Sequence, residues 1–181
     1  MTHDDLRFSQ LAIKTVIVHT VSYSAVGILA FNLLDYATLY AAPDMAGIMR
    51  QTTDPIILAG PLVQPVRGLV FALAIYPLRQ VFLTREHGWL LLWWLLLALG
   101  IISTFGPAPG SVEGLVYTRM SVPHQLLGLL EIVAQSLLLA SGVVYWVNHS
   151  EKRWLTWALA VAFVLAMALP VVGLLAKSRG A

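Results

Sequence analysis

The chain has 181 residues, 59% of them hydrophobic, with 11 Lys+Arg against 9 Asp+Glu and a formal charge of +2. That balance belongs to the membrane class, and the scattered cations form no basic stripe of the kind that nucleic acid requires. There is no cysteine, which excludes disulfides, thiolate metal ligands, cysteine nucleophiles and cysteine-linked lipid or haem.

Five apolar stretches approach the roughly 20 residues needed to cross a hydrocarbon core: 14–38, 62–82, 89–106, 123–147 and 154–176. None alternates as a barrel strand does. The expected fold is therefore all-α, a polytopic bundle of about five transmembrane helices forming one domain over 1–181. Asp4 and Asp5 precede the first stretch, and no small-residue cleavage site follows it, so it reads as a retained helix and not a signal peptide.

Cations set the expected orientation. Arg7, Lys14, Arg79, Arg85, Lys152 and Arg153 flank one set of helix ends, and Arg50, Arg119, Lys177 and Arg179 the other. The first set lies in short connections, which predicts the N-terminus inside and the C-terminus outside. Trp89, Trp93, Trp94, Trp146, Trp154 and Trp157 all fall on the inner side of this arrangement. The compact loops suggest a bacterial cytoplasmic membrane.

In the first helix, Asn32 and Asp35 lie near the outer end. The outer connection that follows, about 39–61, carries turn formers and a short apolar patch, and the second helix opens with Gln64, Pro65 and Arg67. Arg67 is the expected partner, by depth, of a carboxylate inside the bundle. Gly68 and Ala72 form a small-x-x-x-small pair suited to close helix approach, and Pro77 modifies the inner end of this helix.

The second long outer connection contains GPAPGSVEG, in which Glu113 is a candidate rim residue and EGLVYTR a candidate interfacial helix. In the fourth helix, His124, Glu131, Gln135 and Gly142 fall within about 20° of one line at 100° per residue. A carboxylate at the depth of Glu131 is costly without a partner, which makes this face the leading functional candidate. Pro170 interrupts the fifth helix.

The expected site therefore draws Asp35, Asn32, Arg67, His124, Glu131, Gln135 and Glu113 to the outer half of one bundle. It suits a lipid, quinone or other amphipathic molecule, with Glu131 and His124 as candidates for proton transfer or lipid-group transfer. The bland alternative is a structural ion pair of Arg67 with Asp35 or Glu131. A homo-oligomeric transporter or channel and a subunit of a membrane complex are the competing readings, with a homodimer or a membrane protein as partner. No metal motif occurs, and no pair of facing intramembrane histidines supports haem; His19 and His124 lie toward opposite faces.

Overall fold

The computed structural model describes residues 6–179, and the acids Asp4 and Asp5 lie outside them. The elements are helices throughout: α1 (Phe8–Leu33), α2 (Tyr36–Ala41), α3 (Pro55–Leu58), α4 (Gln64–Ile75), α5 (Arg79–Leu83), α6 (Gly88–Leu97), α7 (Val112–Tyr117), α8 (Val122–Asn148) and α9 (Arg153–Arg179). Among the described residues, four helical segments are long and apolar enough to cross a membrane: Phe8–Leu33, Gly60–Leu83, Val122–Asn148 and Arg153–Arg179. The protein is an integral membrane bundle by this criterion.

The second of these segments is composite. Pro77 lacks an amide hydrogen, and the chain passes through the 3-10 turn Tyr76–Leu78 before resuming as α5. The expected span at 89–106 is shorter than the other four. Its ten α-helical residues continue into a five-residue π turn, Ala98–Ile102, where Ser103 N–H bonds Ala98 O and the helix stops. Gly100 and the Gly106–Pro107 and Pro109–Gly110 pairs downstream offer the chain no incentive to continue helically.

The hub is α1. It packs on α4 along one side, on α8 along another and on α9 along a third, while α6 packs on α8. Small residues set those distances. A Cβ at Gly68 would stand 2.7 Å from the Val16 Cα, and one at Gly142 would stand 2.8 Å from the Val18 Cγ1. Ala72, one turn after Gly68, is fully buried. In lipid, where apolar burial drives helix association weakly, such close approach is what holds the helices.

One end of the bundle gathers the tryptophans. Lys14 Nζ donates to Trp146 O at 2.9 Å and to Ser150 Oγ at 2.6 Å, closing the C-terminus of α8 where a cation is favoured. Trp146 Nε1 donates to Thr156 Oγ1 at 3.2 Å, and Asn148 Nδ2 to Leu83 O at 3.2 Å. The apolar core occupies this half, with Leu11, Val18, Ile75, Leu83, Leu92, Val143 and Trp146 among its members.

Loops gather at the other end. Here α2 and residues 42–54, the 106–120 connection and the C-terminus of α9 meet. Polar atoms hold them: Asp44 to the start of α8, Gln125 to the 106–120 loop, and Lys177 Nζ to Thr53 O. The helix α9 is the least covered of the four spans, with 6% of its most apolar window buried.

Candidate functional site

A cavity of about 290 Å³ opens in the loop-bearing half, lined by Tyr23, Arg67, Gly100, Ile101, Ala108, Pro109, Glu131, Ile132 and Gln135. Its walls come from α1, α4, the π turn, the 106–120 loop and α8. It lies between the α1–α4 pair and the α6–α8 pair, so each wall owes its place to a different packing contact.

Glu131 is pinned. Tyr36 Oη donates to its Oε2, and Gln135 Nε2 donates to its Oε1 at 2.7 Å from one turn further along α8. Gly27 faces the same carboxyl, and a Cβ there would be 3.7 Å from Oε1. Tyr36 is itself held by ring stacking on Tyr40 at 4.8 Å and by an edge contact with Phe31 at 6.1 Å. The Tyr40 hydroxyl, in the short helix outside the spans, is pushed up to about 12 by burial and then by the Glu131 and Tyr23 charges.

Arg67 faces the same space from the opposite wall. Its Nη1 donates to Gln64 Oε1 at 3.4 Å, and its guanidinium lies 5.9 Å from the Phe71 ring centre. The expected ion pair with Asp35 or Glu131 does not form, for no described carboxylate is in ion-pair contact with Arg67. The reason is local. Glu131 already accepts two hydrogen bonds, and Arg67 is held one turn back on its own helix.

Gln64 extends this wall inward. Its Nε2 donates to Gly60 O at 3.0 Å, which turns Oε1 toward His19 Nε2 at 3.1 Å as well as toward Arg67. His19, 4% exposed, packs edge-on against Phe71 at 4.9 Å. Because Gln64 Oε1 is an acceptor, His19 presents Nε2–H to it.

Asp35, Asn32, His124 and Glu113 do not line the cavity. Asp35 takes the left-handed backbone conformation (φ 44°) between α1 and α2, and its side chain accepts from Thr38 N at 3.4 Å as an N-cap. Asn32 folds back to donate to Ile28 O at 2.7 Å. Glu113 is exposed in the first turn of α7, where acidic side chains favour the helix dipole. The loop contributes Ala108 and Pro109 to the rim in its place.

His124 pairs with a residue that spacing did not single out. Asp44 Oδ2 accepts from His124 Nδ1 at 2.8 Å and from Ser121 N at 2.8 Å, stitching the 42–54 segment to the start of α8. The Ser121 amide, with the His124 contact in support, holds the Asp44 carboxyl down to about 2. His124 and Glu131 thus share a helix face but sit in separate networks, two turns or roughly 10 Å apart along the axis.

Gln125, 2% exposed, ties the rim to α8. Its Oε1 accepts from Gly110 N at 3.2 Å, and its Nε2 donates to Met120 O at 3.0 Å, with longer contacts to Gly114 O and Thr118 Oγ1. Gly110 has φ 84°, a conformation that side chains disfavour. Ser111, fully buried, accepts from Gly114 N at 2.9 Å and starts α7.

Tyr23, Tyr36, Asp44 and Gln125 are the residues that sequence reasoning missed. The signal for Tyr23 was its position one turn before Gly27 on α1; for Gln125 it was a carboxamide in the first turn of an otherwise apolar helix. Among the described residues no group of three or more His, Asp or Glu is arranged to hold a metal ion. Comparison of the chain with protein-family models, curated proteins and solved structures returns no significant match.

Proposed function

We propose that this protein binds the polar head of an amphipathic membrane molecule, a lipid or a quinone-like compound, in the cavity between Arg67 and Glu131. The observation that carries the reading is that Arg67 and Glu131 line one cavity without pairing. A structural ion pair would bring them together. An arginine with one long hydrogen bond keeps most of its five donors for another group.

Binding is better supported than turnover. Glu131 is occupied by two donors, and His124 serves Asp44 two turns away, so these two do not form one acid–base pair around a common reacting atom. The apolar side of the cavity, Ile101 and Ile132, suits the start of a hydrocarbon tail.

The test is native mass spectrometry of the gently extracted protein, comparing wild type with Arg67→Gln. Wild type is expected to carry a co-purifying amphipathic molecule, and the variant, at unchanged melting temperature, to retain about tenfold less, the loss of one charge-assisted contact. Equal retention by both, or none by wild type, sinks the reading.

We further assign the tryptophan-rich end to the cytoplasmic side of a bacterial cytoplasmic membrane, supported by the six cations of the short connections. A homodimer or a membrane partner would pack on α9, the least covered of the four spans. With no native cysteine, Gly47→Cys reports sidedness cleanly: labelling by an impermeant maleimide from outside intact cells supports the assignment, and protection until lysis reverses it.

A further inference from the structure

Resting on the binding reading above, we propose that the head group taken by the cavity is zwitterionic, with an anionic oxygen on Arg67 and a primary ammonium on Glu131, the chemistry of an aminophospholipid such as phosphatidylethanolamine.

Two unlike charges in one small cavity of low dielectric attract strongly. They stay apart here because each is tied to its own wall. Glu131 is held by Tyr36 Oη from α2 and by Gln135 Nε2 from α8. Arg67 is held by Gln64 Oε1 and lies over Phe71 on α4. The empty space between them therefore carries a positive wall and a negative wall, and its best complement carries the opposite charges in the opposite order.

The two contacts on Glu131 are both donors, the arrangement a carboxylate takes, and its remaining lone pairs call for a further donor or cation. A quinone offers two carbonyl acceptors. One suits Arg67 with Tyr23, but nothing in the ring system donates to Glu131. A purely anionic head, such as phosphoglycerol, offers the carboxylate hydroxyl donors but no positive charge to offset its own. A phosphate joined by two carbons to an ammonium satisfies both walls at once.

Size agrees with this division. About 290 Å³ is at the lower limit of pockets that enclose a small molecule, so a head group fits and a pair of acyl chains does not. The chains would lie outside, along the exposed apolar surface that includes Leu130 and Ile132. Primary ammonium is favoured over trimethylammonium because only the former has N–H donors for the carboxylate.

The experiment reconstitutes the whole protein in nanodiscs containing equal amounts of phosphatidylethanolamine, phosphatidylcholine and phosphatidylglycerol, and reads the lipids retained on release into the mass spectrometer. Wild type is expected to retain the ethanolamine lipid about tenfold over the glycerol lipid. Glu131→Gln is expected to erase that preference while keeping Arg67-dependent retention, and Arg67→Gln to lower all three. If Glu131→Gln fails to fold, the wild-type preference decides alone.

Arg67-dependent retention without preference for the ethanolamine lipid overturns the zwitterion and leaves amphipathic binding standing. Absence of any Arg67-dependent retention overturns both. A soluble arm uses O-phosphoethanolamine: if it binds as tightly as the lipid and with the same dependence on Arg67, the lipid source is overturned and a free zwitterion replaces it.

Discussion

The two ends of the bundle weigh apolar packing and polar contacts differently. At the tryptophan-bearing end, Leu11, Leu83, Leu92 and Val143 are 1% exposed or less, and helices touch through side chains cut to fit. At the loop-bearing end, contacts run through polar atoms: Tyr36 on Glu131, Asp44 on His124 and Ser121, Gln125 on the 106–120 backbone. Close packing leaves no room for a ligand. A lattice of hydrogen bonds leaves some, and the cavity lies in it.

That contrast predicts different responses to substitution. The largest effect is expected from Gly68→Leu, because the obstacle 2.7 Å away is the Val16 backbone, which cannot swing aside. Overpacking of this kind costs about 1–3 kcal/mol or more, and a thermal melt in detergent should show loss of the whole bundle, both ends together. A melt like that of wild type would mean that α1 and α4 separate easily and that the packed end is not what holds the fold.

Next comes Gln125→Leu, which removes the partner of Gly110 N–H and of the Met120 carbonyl. Met120 is buried, and leaving its carbonyl without a partner costs about 1 kcal/mol or more, whereas the half-buried Gly110 N–H can turn to water. Here the expected readout is local: hydrogen exchange across 106–120 accelerates while 8–20 and 139–147 stay protected. Uniform acceleration would erase the distinction between the two ends.

The smallest effect concerns Asp44. Its carboxyl is held at about 2, below the ordinary 3.8, so its contribution is fully present above pH of about 4 and is lost as pH falls toward 2. A spin label at Gly47→Cys, where an added side chain meets nothing within 4 Å, should gain mobility across that window. The Asp44→Asn background should show the label already loosened at neutral pH and no step on acidification.

Much of the helical layout was legible in the sequence, since long apolar runs have few other fates in lipid. The span expected at 89–106 runs instead from Gly88 to Ile102, because hydropathy does not register that the π turn ends at Ser103, ahead of the Gly106–Pro107 pair. In the site, Arg67, Glu131 and Gln135 were legible from depth and helical phase. Asp35, Asn32 and Glu113 drew attention as polar residues near the cavity in sequence, but each is absorbed by its own local turn or cap. Tyr36 and Asp44 were invisible because they reach α8 from 95 and 80 residues away, through a short helix and a loop whose course no periodicity encodes.

The early end of α6 has a consequence for the surrounding bilayer. Ten α-helical residues and a five-residue π turn rise roughly 20 Å, against a hydrocarbon thickness of about 30 Å. On that flank the membrane must dip to meet the protein, or the Ala108–Pro109 backbone must sit below the headgroups behind α8. Both costs grow with bilayer thickness, by fractions of a kcal/mol per Å of mismatch. The short helix and the cavity rim lie on the same flank, so any adjustment to a thick bilayer falls beside Ala108 and Pro109.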